Sequence, residues 1–243
     1  MAGEWTAALV LGLVVLVGSS VQRMAGIGFA LVSAPVLVLL LAPATGVALA
    51  NCAAGVISLI GLATAWRGVR LGAMLPLVLA AAVTVPLGAW VAARLPEPTL
   101  LVGMGALVTA AVLLVLLGTR VPALGGRGGA FAAGAASGFM NASAGVGGPA
   151  ISLYAVNAGW TVREFVPNAQ FYGVLVNVFS VSVKGLPQLS GPAWALAGAG
   201  VVAGTAVGAV LAARTPERPA RRIVLLLALA GGVVTAVKGL AEL

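Results

Sequence analysis

The chain contains no histidine, a single cysteine and only five acidic residues among 243, all of them glutamate. Without histidine, neither a His-based zinc site nor a Ser-His-Asp triad can be assembled. With Cys52 alone, an intrachain disulfide is excluded. Charged residues make up 7% of the chain, against roughly 25% in an ordinary soluble domain. So low a share excludes a soluble globular enzyme, a disordered chain and a coiled coil. No Gly-x-x-x-x-Gly-Lys-Ser/Thr loop is present, so this chain has no P-loop for ATP. The residues from Met1 to Thr6 carry Glu4 and no basic side chain, and so lack the positive flank of a signal peptide.

What is present is apolar and small: 61% hydrophobic residues and 34 glycines. This balance suits a polytopic membrane protein whose helices approach closely through small residues. Splitting the chain at charges and at Gly/Pro breaks gives ten apolar segments, roughly 5–22, 26–41, 45–66, 71–93, 98–118, 128–141, 145–158, 164–184, 192–213 and 221–240. A crossing takes about 20 apolar residues, so no separate soluble domain fits and 1–243 forms one membrane domain. Two pairs, 5–22 with 26–41 and 128–141 with 145–158, are interrupted by Gly-rich breaks. Each pair is either two short crossings or one re-entrant hairpin. The net charge of +8 comes from basic residues set singly or in short groups between apolar runs. Anionic lipid headgroups, not nucleic acid, are therefore the expected neighbours.

The chain repeats itself. A shift of 119 residues lays Gly26-Ile27-Gly28 on Gly145-Val146-Gly147, Gln22 on Asn141, and Asn51 on Gln170. One further residue lays Ala92-Ala93-Arg94-Leu95-Pro96-Glu97 on Ala212-Ala213-Arg214-Thr215-Pro216-Glu217. Upstream, Ala80, Thr84, Gly88 and Ala92 correspond to Gly200, Gly204, Gly208 and Ala212, two small-residue ladders for close helix packing. Basic residues then choose the topology. With four crossings per half, Arg67, Arg70, Arg120, Arg127, Lys184 and Lys238 oppose Arg94, Arg163, Arg214, Arg218, Arg221 and Arg222, six against six. With an odd number per half, Arg94, Lys184 and Lys238 alone oppose the other nine. Cytoplasmic loops carry the excess of Lys and Arg, so the expected fold class is an all-α polytopic membrane protein with inverted halves. Repeat 1 spans about 1–120 and repeat 2 about 126–243. Each repeat holds a broken or re-entrant helix pair plus three transmembrane helices, and both termini lie outside the cytoplasm.

Inverted repeats with broken segments point to a secondary transporter whose substrate sits near the midplane. A helix that starts inside the membrane has N–H groups without intrahelical partners and a partial positive charge. An anion satisfies both. Gly26 and Gly28 in one half, and Gly145, Gly147, Gly148 and Pro149 in the other, supply the breaks, Pro149 suiting the first turn of a new helix. Gln22 and Asn141 precede the breaks, Ser143 lies within the second, and Asn51, Asn168, Gln170 and Asn177 sit in long apolar segments. A carboxamide in hydrocarbon is costly unless paired, so these face the interior. Either they bond across helices and cap broken ends, or they line a binding cavity; their repeat-related positions favour the cavity. Arg23, if at membrane depth, needs an anionic partner that a substrate supplies; if its segment crosses fully, it is one more cytoplasmic residue. Arg163 and Glu164 read as an interfacial pair. Glu4, Glu97, Glu164, Glu217 and Glu242 all lie at segment ends or termini, so no carboxylate proton relay crosses the membrane.

Gly26-Ile27-Gly28 followed by Pro35, and Ser137-Gly138-Phe139-Met140-Asn141 followed by Gly145-Val146-Gly147-Gly148-Pro149, resemble the paired Gly-rich motifs of the TauE/SafE sulfite exporter family, within the 4-toluene sulfonate uptake permease superfamily. Asn51 and Asn168-Ala169-Gln170 resemble that family's polar positions in the helix after each motif, and the first motif departs from the usual Gly run at Phe29 and Ala30. The resemblance covers essentially the whole chain. It implies a multi-pass carrier in the bacterial plasma (inner) membrane, exporting a small sulfur-containing anion such as sulfite, a sulfonate or sulfoacetate. The expected substrate-binding residues are Gln22, Arg23, Gly26, Gly28, Asn51, Asn141, Ser143, Gly145, Gly147, Gly148, Asn168 and Gln170, with no catalytic residue, metal or cofactor. The expected partners are the small anion and membrane lipids, with room for a homo-oligomer and none for nucleic acid. The competing readings are an anion channel, a non-transporting assembly subunit, and a lipid-phosphate enzyme using Arg214, Arg218, Arg221 and Arg222.

Overall fold

Long apolar runs of Ala, Leu, Val and Gly, punctuated by Pro and by charges, leave the backbone one way to satisfy its polar groups in lipid: helix after helix. The structure, a computed structural model, describes residues 2–25, 28–117, 125–214 and 217–243, with side chains apart from those of 2–4, 25 and 217–224. The described residues form α1 (Ala2–Ala25), α2 (Phe29–Leu40), α3 (Pro43–Ala65), α4 (Leu71–Arg94), α5 (Glu97–Leu116), α6 (Gly126–Ala144), α7 (Gly148–Asn157), α8 (Val162–Lys184), α9 (Gly191–Ala212) and α10 (Glu217–Ala241), with no strand among them. Each helix corresponds to one of the ten expected segments.

Helices α1, α3, α4, α5 and α9 are long and apolar enough to cross a bilayer. With α2 and α7 at 12 and 10 residues, neither exceeds about 18 Å at 1.5 Å per residue, well short of a 30 Å hydrocarbon core. At 23 residues, α8 is long enough. Its Asn, Gln, Glu and basic side chains lower its hydropathy because one face is turned into the protein instead of lipid. Outward faces are apolar: Leu13, Leu75, Leu79, Val83, Val202 and Val237 are all exposed. At helix ends, Arg67 lies over the Trp66 ring at 5.4 Å and Arg94 over Trp90 at 4.8 Å, as expected of side chains at a headgroup boundary.

Small residues set the helix pairing. Along α1 and α9, Gly12 meets Leu196, Leu16 meets Gly200 and Gly204, and Ser20 meets Gly208, so the two run parallel. Along α4 and α6, Leu77 meets Gly134, Ala81 and Thr84 meet Gly138, and Gly88 meets Phe139, again parallel. Along α3 and α8 the register falls instead, with Gly55 at Asn177, Ser58 at Gly173 and Gly61 at Gln170. Along α5 and α10, Pro98 meets Gly239 and Thr109 meets Gly232, also antiparallel. Other neighbours include α1 with α2, α6 with α7, α2 with α10, α5 with α7, α2 with α3 and α7 with α8. Exchanging α1 for α6, α2 for α7, α3 for α8, α4 for α9 and α5 for α10 leaves this set of pairings unchanged.

One ion pair constrains the faces of the bundle. The Arg70 guanidinium, just before α4, bonds the Glu164 carboxylate in the first turn of α8. Glu164 also closes a capping box, accepting from the Thr161 N–H at 2.8 Å while its own N–H donates to the Thr161 hydroxyl. The expected Arg163–Glu164 pair does not form, since adjacent residues on a helix point about 100° apart. Because Arg70 and Glu164 touch, residues 70 and 164 lie at the same end of the bundle.

Candidate functional site

Both breaks are built on glycine, for different reasons. At the first, Gly28 forms the N-cap of α2 with φ 134°, a conformation that side chains rarely adopt. At the second, α6 ends on Gly145 with φ 74°, whose N–H returns to the Asn141 carbonyl at 3.0 Å. There α7 restarts at Gly148 with Pro149 in its first turn. Gly147 has ordinary dihedrals but no room: a Cβ there would lie 2.7 Å from the Ser137 hydroxyl oxygen. Gly26 lies outside the described residues.

The two breaks meet at a cavity of about 70 Å³, space for several waters or one small anion at about 10–15 Å³ per water. Its wall includes Gly28, Ala30 and Leu31 from the start of α2, and Val146, Gly147, Gly148 and Ile151 from the start of α7. Four carboxamides join them, Gln22 from α1, Asn141 from α6, and Gln170 and Asn177 from α8, together with Ser58, Phe165 and Tyr172. Among the described residues no charged side chain lines the cavity. The first N–H groups of each short helix make no bond within it, so two positive helix ends face this space.

The amides are held by bonds that follow the 119-residue spacing. Gln22 donates to the Ser58 hydroxyl at 3.2 Å, and Asn141 donates to the Asn177 carbonyl oxygen at 3.1 Å. Each pair spans 36 residues, and adding 119 to the first pair gives the second. Asn141 also donates to Ser180 at 2.9 Å, and Asn177 returns its N–H to the Gly173 carbonyl at 2.8 Å. Asn51 is fully buried and donates to the Asn141 carbonyl at 3.3 Å, while its own carbonyl oxygen has no partner. It therefore braces the second break from behind, outside the cavity wall.

Of the residues expected at the site, the structure brings together Gln22, Gly28, Asn141, Gly147, Gly148 and Gln170. It leaves out Arg23, Asn51, Ser143, Gly145 and Asn168. Arg23 is exposed, with its Cβ beside Gly208 of α9. Successive residues on a helix are about 100° apart, so with Gln22 turned inward Arg23 points elsewhere. Asn168 spends its amide on backbone, accepting from the Arg70 N–H at 2.8 Å and donating to the Glu164 carbonyl at 2.7 Å. Ser143 donates to the Phe139 carbonyl at 2.8 Å within α6. Gly145 packs beside Ala34 and Ala50. Sequence reasoning missed Ser58 and Tyr172, and it noted Asn177 without placing it at the site. The 119-residue shift of Gln22 onto Asn141, applied to their partners, carries the signal for Ser58 and Asn177.

The family model described as Sulfite exporter TauE/SafE matches residues 10–235. No curated protein and no solved structure matches the chain.

Proposed function

The chain belongs to the TauE/SafE sulfite exporter family, a family of multi-pass membrane transporters, and from that premise we propose that it exports a small sulfur oxyanion across a bacterial plasma membrane. Sulfite, a sulfonate or sulfoacetate is the substrate class. The cavity carries this reading. Two half-length helices begin at its wall, four carboxamides surround them, and among the described residues no carboxylate is there to repel an anion. An oxyanion is rich in acceptors and carries negative charge, so it complements N–H donors at positive helix ends. A cation substrate would find no charged ligand among the described residues of the wall.

Alternating access follows from inverted halves, about 1–120 and about 126–243, rocking around a fixed midplane site. Support comes from three directions: the parallel and antiparallel registers of the four main helix pairs, their invariance when halves are exchanged, and the contact of Arg70 with Glu164. On this reading the Gln22–Ser58 and Asn141–Asn177 bonds close opposite ends of the cavity in turn. The small-residue faces of α4 and α9 hold each moving helix against α6 and α1.

Purified protein in liposomes tests the proposal. Sulfite or sulfonate flux should saturate with concentration and be inhibited by related sulfur oxyanions. Flux that rises linearly without saturating would assign a channel, and lipid turnover without anion flux would overturn transport altogether.

A further inference from the structure

A lysine at the end of a membrane helix ordinarily extends its ammonium to water. Lys184, the last residue of α8, does the reverse. Its ammonium turns into the bundle and donates to the Ala142 carbonyl at 2.9 Å, one of the last four carbonyls of α6 at the second break. Cys52, half-buried in α3, lies near the ammonium. The repeat-equivalent position is Ala65, so this cation is no part of what the two halves share.

Lys184 also ends a polar stripe. Gln170, Gly173, Asn177, Ser180 and Lys184 fall within about 80° of arc on α8 at 100° per residue, and all are buried or half-buried. The first three line the cavity, Ser180 accepts from Asn141, and Lys184 follows one turn beyond. The corresponding face of α3, Asn51, Ala54, Ser58, Gly61 and Ala65, has no charge. Because α3 and α8 are antiparallel, Lys184 stands at the end of the cavity away from Arg70 and Glu164.

We propose that Lys184 is the charge-selective gate of the anion path, on the membrane face opposite Arg70. In the described state its ammonium is tied to the Ala142 carbonyl, and together with the Asn141–Asn177–Ser180 bonds it closes that end. When the end opens, the ammonium leaves the carbonyl and escorts the oxyanion past the break. The inference rests on the transport reading above, and it adds a mobile cation at one end of the path to the fixed helix ends that favour an anion in the cavity.

Cys52, the sole thiol, is the natural reporter. Wild-type protein in oriented liposomes is treated, from the face opposite Arg70, with a methanethiosulfonate bearing a sulfonate and, separately, with one bearing a trimethylammonium group. The anionic reagent should modify Cys52 faster, and saturating sulfite should slow it. Lys184→Gln should lower the anionic-to-cationic rate ratio about tenfold, the scale on which a local charge concentrates counter-ions. It should lower sulfite flux with the ratio, and Lys184→Arg should retain both. Equal rates for the two reagents on wild-type protein, or no reaction from that face, overturn the gate without recourse to any variant. So does a Lys184→Gln protein with a wild-type ratio and only a lowered melting temperature, which would make Lys184 a helix cap. Absence of sulfite and sulfonate flux in wild-type protein would instead sink the transport reading, while the labelling ratio still judges the gate.

Discussion

Gln22 and Arg23 are neighbours in sequence with opposite destinations, and the difference is testable. Gln22 lines the cavity and bonds Ser58, whereas Arg23 is exposed next to α9. A carboxylate at position 22 would meet a bound anion with about 4 kcal/mol of repulsion at 4 Å and an effective dielectric constant of 20. Gln22→Glu should therefore raise the half-saturating concentration for sulfite flux by about three orders of magnitude. Arg23→Gln should leave that concentration unchanged; a folded Arg23→Gln protein without flux would contradict the cavity as drawn. Which of two adjacent polar residues faces inward depends on how α1 is rotated against α9. The ladder of Gly200, Gly204 and Gly208 names the face of α9 that packs, but spacing does not encode which face of α1 it meets. The same limit misplaced Asn168, where an amide in an apolar segment serves the Arg70 and Glu164 backbone, and hid Lys184, whose position at a helix end reads as interfacial until its direction is known.

Helices α1 and α9 meet through absent side chains. A Cβ on Gly208 would lie 2.5 Å from the Ser20 carbonyl oxygen, and one on Gly204 would collide with the Leu16 carbonyl. These obstacles are rigid backbone, so a larger residue must push the helices apart. Gly204→Val should destabilise the protein by about 1–3 kcal/mol or more, seen as a lower melting temperature in detergent and loss of flux. Gly198, exposed on the same helix with nothing near its missing Cβ, is the control: Gly198→Val should match wild type, and equal damage from both would point to helix propensity instead of packing. At this scale the sequence was most legible. Among the described residues ten segments became ten helices, because charges, Gly-rich breaks and Pro in the first turn mark helix starts and ends, although Pro35, Pro76, Pro86 and Pro167 sit inside helices. The small-residue ladders gave away the pairing faces. What the ladders do not name is the partner helix, because a groove of glycines accepts any backbone of suitable slope.

For the whole molecule, the decisive quantity is the direction of each half. The 119-residue repeat is visible in sequence, but an even or odd number of crossings per half gives parallel or inverted copies, and only charge asymmetry separates them before contacts are known. The contacts bear on the same choice through a different interaction. Parallel α1–α9 and α4–α6, with antiparallel α3–α8 and α5–α10, support the proposed inverted halves. The Arg70–Glu164 pair, exposed and screened by solvent, is more informative about topology than about energy. Single cysteines placed at positions 70, 94, 163, 184 and 214 in a Cys52→Ser background should sort by face when treated with a membrane-impermeant thiol reagent. Positions 70, 163 and 214 should label from the cytoplasmic side, where the basic excess lies, and 94 and 184 from the other. Labelling of 94 and 214 from one face would make the halves parallel. Two ends of the cavity related by a twofold axis would then be lost, and with them the exchange of roles between the Gln22–Ser58 and Asn141–Asn177 bonds on which alternating access depends.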